Sequence, residues 1–154
     1  SRLPILAELA KRFPSVKIVV NHLGGKIDVR ASDDDKASWR YAVETIAACP
    51  NAVMKLGGAQ MRVGDWEPHF HMKNAKTPQG SDHFIDDLMP YYAHAIDSFG
   101  PERCMFESNF PVDKECISYR TLWNFFKKIT NRLGLSDAEK NSVFYDCARS
   151  TYKL

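Results

Sequence analysis

Val16-Lys17-Ile18-Val19-Val20-Asn21-His22-Leu23-Gly24-Gly25 is the stretch on which the reading of this chain turns. Its first five residues are mostly apolar and rich in β-branched side chains, the composition of a short strand buried on both faces of a parallel sheet. Polarity changes abruptly at Asn21, and the two glycines that follow mark a turn. The same pattern recurs twice. Ala52-Val53-Met54-Lys55-Leu56 runs into Gly57-Gly58, and Arg103-Cys104-Met105-Phe106 runs into Glu107-Ser108-Asn109-Phe110-Pro111-Val112-Asp113.

Helical patterns fill the intervals. Leu3, Leu6, Ala10 and Phe13 keep helical spacing until Pro14. Trp39, Ala42, Val43, Ile46 and Ala47 share one helix face, behind aspartates that suit an N-cap and the helix dipole, and Pro50 closes the run. Ser81 opens a helix with Ile85, Leu88, Tyr92, Ile96 and Phe99 inward. Pro90 is expected to kink or split it, and Gly100-Pro101 to stop it. Tyr119, Leu122, Trp123, Phe126, Ile129 and Leu133 form a further helix, and Ser136 to Glu139 is a capping box before a last one with Val143, Phe144 and Cys147 inward. The order α-β-α-β-α-β-α-α implies right-handed crossovers and a parallel α/β sheet. Three parallel strands make a poor closed sheet, so residues 1–154 read as a single partial domain of a larger βα array. Such a piece, expressed alone, is expected to leave two open sheet edges and an uncovered inner face and so to be poorly soluble or to associate, a homo-oligomer being one such association.

Composition narrows the function classes. Hydrophobic residues are 44% and charged residues 26%, which argues for a globular chain. Lys and Arg total 21 against 19 for Asp and Glu, a formal charge of +2, so there is no electrostatic footprint for nucleic acid or an anionic membrane. No apolar run nears the roughly 20 residues needed to span a bilayer, and the N-terminus has no signal-peptide core. The cysteines Cys49, Cys104, Cys116 and Cys147 form no C-x-x-C motif, which points to reduced thiols and a cytoplasmic location.

In parallel α/β folds the chemistry gathers just past the C-terminal ends of the strands. His22 stands there and can ligate a metal, polarise a carbonyl or shuttle a proton; it can equally cap the strand end through backbone hydrogen bonds. Gly24-Gly25 either lets backbone approach a ligand or makes a tight turn. Lys55, among apolar neighbours, is paired or functional if it is buried and inward-facing, or else snorkels to the strand end. The segment from Gly57 to Gly80 has no period, and Arg62, Trp66, His69, Phe70 and His71 in it are candidates for lining a pocket. His69 and His71 have the spacing of metal ligands on a strand, but no strand signal surrounds them. His83 and His94 fall on a helix as surface or packing residues, and Cys104 reads as core.

The blocks Asn21-His22-Leu23-Gly24-Gly25, Met54-Lys55-Leu56-Gly57-Gly58 and Phe99-Gly100-Pro101-Glu102-Arg103 through Ser108-Asn109-Phe110-Pro111-Val112-Asp113 together resemble the C-terminal half of the amidohydrolase-related family. The ending, Val143-Phe144-Tyr145-Asp146 to Tyr152-Lys153-Leu154, is similar to that family's last helix. The family's members are TIM-barrel metal-dependent hydrolases, related to lactonases for pyrone dicarboxylate and sugar lactones and to carboxymuconate-semialdehyde decarboxylase. The resemblance implies that this chain is the C-terminal part of a (β/α)₈ barrel, whose full length is about 250 residues.

It also implies roles. His22 matches a barrel histidine that joins a first-strand His-x-His pair, absent from this chain, as catalytic group and metal ligand. Asn109 stands where the family's hydrolases carry an aspartate that takes a proton from water. An amide is no base near neutral pH, and Asp113, four residues on, is a candidate substitute. Lys55, Arg62, His71 and Asp113 are the expected substrate contacts. One divalent metal such as zinc or a metal-free site both stay open. The function so implied is water attack on the carbonyl of a cyclic ester or amide of a carboxylated small molecule. The rivals are a carbon–carbon lyase on the same barrel and an inactive binding relative, the latter motivated by Asn109.

Overall fold

The computed structural model describes residues 2–25, 27–59 and 80–154. Helix α1 spans Leu3–Arg12, strand β1 Ile18–Val20, helix α2 Asp33–Ala47 and strand β2 Ala52–Leu56. Helix α3 follows at Ile85–Phe99, strand β3 at Cys104–Phe106 and helix α4 at Tyr119–Arg132. Helix α5 (Asp137–Asn141) passes through a π-turn at Ser142–Asp146 into helix α6 (Cys147–Tyr152). The strands form one parallel sheet in the order β1-β2-β3, with Val20 beside Met54 and Leu56 beside Phe106. The parallel α/β reading therefore describes the molecule.

The helices start where their caps dictate. Ser32, Ser118 and Ser136 each accept a hydrogen bond from the backbone N–H three residues on, and Glu139 returns the favour to Ser136 as a complete capping box. Of the kink or split expected at Pro90, the split does not occur: α3 runs unbroken across it. The carbonyl that loses its partner belongs to Asp86, whose side chain is on the solvent face. Helix α1 stops at Arg12, and the Phe13 ring is 46% exposed.

Packing divides the sheet into two faces. Ala52, Met54 and Leu56 of β2 enter the main core with α2, α3 and α4. Phe106 stacks on Phe126 at 4.3 Å, and Tyr92 meets both Phe106 and Phe126 within this layer. On the other face Val53 and Met105 pack against Cys147 of α6, with Val19 and Ala148 beside them. The inner face is thus not left bare as expected; α6 covers part of it because Val53 and Met105 would otherwise expose apolar surface.

Polar anchors fix the end of the sheet remote from the glycine turns. The Asn51 side-chain amide donates to the carbonyls of Ala10, Phe13 and Val16, tying the end of α1 to the start of β1. The Arg103 guanidinium donates to the carbonyls of Phe99, Ala47 and Cys49, satisfying helix-end groups of α3 and α2. This is the physical use of the Phe-Gly-Pro-Glu-Arg block. All four cysteines are buried thiols, and burial pushes the Cys104 thiol far up, which keeps it inert core. Among the described residues no helix is long and apolar enough to cross a membrane.

Candidate active site

The three turns after β1, β2 and β3 meet at one end of the sheet. His22 opens a 3₁₀ turn, His22–Gly24, with φ of +55° at His22 and +54° at Leu23. Leu23 is fully buried and its carbonyl accepts from the Trp39 indole at 3.1 Å, which holds the turn down. Gly24 has φ +82°, and a Cβ there would stand 2.5 Å from the Leu3 side chain. That glycine serves a tight turn packed on α1, not the approach of a ligand.

The second glycine pair makes room for the site itself. A Cβ on Gly57 would run into the Glu107 carbonyl and side chain, and one on Gly58 would stand 2.5 Å from the His22 imidazole. Gly57-Gly58 is therefore a cut-out in β2's exit that lets His22 and Glu107 reach each other across it. His22 Nδ1 lies 2.7 Å from Glu107 Oε1. The approach is off the line of a good hydrogen bond, and neither atom has another such partner among the described residues.

Lys55 belongs to the same cluster. It lies on the inner face of β2, and its Nζ is 3.3 Å from Glu107 Oε2. Its ammonium also lies 5.8 Å from the ring centre of Tyr152 in α6. Burial by itself pushes the Lys55 amine down, but the Glu107 charge and hydrogen bonding to Tyr152 and Glu107 more than offset this, so the amine stays firmly protonated. Of the two sequence readings, the paired one holds.

Asn109 and Asp113 complete the end of β3. Asn109 adopts φ +52°, a left-handed conformation that asparagine tolerates. Its side-chain amide donates to Asp113 Oδ1 at 2.7 Å. Asp113 is fully buried. Burial raises its carboxyl to about 6; the Asn109 hydrogen bond and the His22 imidazole oppose the rise and Glu107 adds to it. Asp113 therefore senses both ends of the cluster.

The structure thus brings together His22, Lys55, Asn109 and Asp113, while Arg62, Trp66, His69, Phe70 and His71 lie outside the described residues. His83 is exposed, and His94 packs on Trp39, both away from this cluster. Sequence reasoning gave no role to Glu107. Its signal was present: a carboxylate directly after the apolar Cys104-Met105-Phe106, at the end shared with His22. Tyr152 had none, because its contact with Lys55 joins positions far apart in sequence.

A family model described as amidohydrolase matches residues 1–154. The chain belongs to the amidohydrolase family. A protein of Sinorhizobium fredii, the uncharacterized y4mH, is 37% identical over 96% of this chain and 42% of its own length. L-fucono-1,5-lactonase of Burkholderia multivorans is 27% identical over 99% of the chain and 48% of its own. A crystal structure of a Burkholderia multivorans amidohydrolase with bound zinc superposes with a TM-score of 0.80 at 27% identity, over 99% of this chain and 49% of that one. The amidohydrolase chain described here spans about half the length of these relatives. Its parallel sheet with outer helices is the α/β arrangement of TIM-barrel amidohydrolases, in part.

Proposed function

We propose that this chain is the C-terminal half of a TIM-barrel lactone hydrolase acting on a small carboxylated or sugar-derived lactone. One observation carries the reading: His22, Lys55, Glu107 and Asn109, from three separate strand ends, converge where parallel α/β enzymes place their chemistry. The names of the relatives favour hydrolysis over carbon–carbon cleavage. L-fucono-1,5-lactonase and L-rhamnono-gamma-lactonase are among them.

In the proposed reaction water adds to the lactone carbonyl, the ring C–O bond opens, and the proton passes to the departing hydroxyl. His22 polarises the carbonyl or carries that proton through the ring nitrogen not turned to Glu107. The carboxylate of Glu107 steadies the imidazole and keeps Lys55 in place. Lys55, protonated throughout the working pH range, offers its remaining N–H donors to a substrate carboxylate or hydroxyl. Asn109 holds the attacking water by a hydrogen bond and does not deprotonate it. Arg62 and His71 are proposed as substrate contacts on sequence grounds. Four buried thiols suit a reducing, cytoplasmic setting.

A zinc ion, as bound in the Burkholderia multivorans amidohydrolase, would act as a Lewis acid on the carbonyl. Among the described residues no three His, Cys, Asp or Glu side chains are grouped to hold a metal. His22 is the ligand this chain would lend, and the set is incomplete without others.

The test is hydrolysis of L-fucono-1,5-lactone and L-rhamnono-γ-lactone by the full-length protein in ¹⁸O-water, with and without chelator. One ¹⁸O in the product acid is expected. No turnover of any lactone, or release of carbon dioxide without ¹⁸O, overturns the reading.

A further inference from the structure

A fully buried carboxylate calls for a physical explanation. Asp113 is 0% exposed, and burying an aspartate costs stability unless its charge is satisfied. Its backbone is bolted in place: the N–H donates to the Asn109 carbonyl at 3.2 Å, and its carbonyl accepts from Cys116 and Ile117 at 3.0 and 2.9 Å. The side chain makes one hydrogen bond among the described residues, to the Asn109 amide at 2.7 Å. Its second oxygen, Oδ2, has none there.

An asparagine side chain has a donor end and an acceptor end, and its partner decides which way it turns. A carboxylate can only accept. Asp113 must therefore take the NH₂ end of Asn109, and the amide oxygen is the atom left for a ligand. The left-handed backbone at Asn109, φ +52°, belongs to the same arrangement, in which its side-chain amide meets Asp113. The charged and titratable groups bearing on Asp113 are His22 from the β1 end and Glu107 from the β3 end.

We infer that Asp113 is a positioning residue that locks the Asn109 amide with its oxygen, not its nitrogen, available to the ligand. The lock itself does not depend on the reaction. What the oxygen does, accepting a hydrogen bond from the attacking water, rests on the lactone hydrolase reading. The site thereby presents a neutral amide oxygen, not a carboxylate, at position 109.

Three variants of the full-length protein test this. Asp113→Ala removes the acceptor. Asn109→Asp sets two carboxylates against each other at the 2.7 Å contact. The swap, Asn109→Asp with Asp113→Asn, rebuilds the bond with donor and acceptor exchanged and keeps an oxygen at position 109. The first readout needs no substrate. In ¹⁵N-labelled protein the Asn109 side-chain amide protons should exchange with solvent at least about tenfold more slowly than those of an exposed asparagine. Asp113→Ala should abolish that protection. At pH 8 Asn109→Asp should melt below wild type, and the swap should recover most of the loss. Unprotected Asn109 protons in the wild type, or a swap as unstable as Asn109→Asp, overturns the lock whatever the enzyme's activity. Should Asp113→Ala fail to fold, the swap against Asn109→Asp still decides.

The second readout separates positioning from plain stability. With L-fucono-1,5-lactone as probe, folded Asp113→Ala should lose about 10²-fold in kcat, as a misplaced polar group does, while the swap keeps kcat within about tenfold of wild type. A folded Asp113→Ala with unchanged kcat overturns the positioning role. Absence of turnover in the wild type overturns the hydrolase reading and leaves the exchange and melting results to judge the lock.

Discussion

Strand β2 shows two kinds of design within five residues. Ala52, Met54 and Leu56 point into a core of helices and aromatic rings. Val53 and Lys55 point the other way, and there the surroundings change within one step from the apolar Met105 and Cys147 to the Glu107 carboxylate. The first face is decided by area buried and tolerates no charge. The second is apolar only as far as Val53 and then turns polar toward the glycine exits. The difference teaches where stability and chemistry separate in this chain: across the sheet, and along it. Mutations should report that separation.

The largest stability effect is expected on the helix-packed face. Phe126 is fully buried and stacked on Phe106, so Phe126→Ala should cost about 3–5 kcal/mol by chemical denaturation. A loss below about 1 kcal/mol would mean that this face is not the core the comparison makes it.

Next comes the polar end. The Asp113 carboxyl stands at about 6 in the folded protein against an ordinary 3.8. Between those values the folded state binds more protons than the unfolded chain, so ionisation of Asp113 removes stability as pH rises from about 4 to 6. The loss is roughly 3 kcal/mol at most. Asp113→Asn should flatten that part of the stability–pH curve. An identical slope in both proteins would show that Asp113 is not the group responsible.

A smaller effect sharpens the role of the glycine cut-out. Gly58 and Gly134 share a left-handed backbone, φ +70° and +68°, but a Cβ meets the His22 ring at Gly58 and open space at Gly134. Alanine at either should cost about 1 kcal/mol for the backbone. Gly58→Ala should cost a further 1–3 kcal/mol, on the order of an overpacked site, and should displace His22. Equal losses in the two melts would remove the claim that Gly58 is shaped by the imidazole.

Much of this was legible in the sequence, for identifiable reasons. The helices declared themselves because Ile85, Leu88, Tyr92, Ile96 and Phe99 keep one face, and Ser136 with Glu139 caps as spelled. The strand ends declared His22, Lys55 and Asn109 because polarity changes sharply there. The helix does not split at Pro90 because the proline is on the exposed face while Leu88, Tyr91, Tyr92 and Ile96 hold the opposite face in the core. Glu107 went unassigned because its importance depends on meeting two residues 85 and 52 positions away. The full burial of Asp113 was not legible because spacing cannot show which carboxylate is covered.

The most direct test of the shared site is His22→Ala in the full-length protein, assayed on whichever lactone the wild type opens fastest. If His22 acts on the reacting carbonyl beside Glu107 and Lys55, kcat should fall about 10²–10³-fold with a smaller change in KM. A His22→Ala protein that folds normally and hydrolyses the same lactone at the wild-type rate would contradict the account.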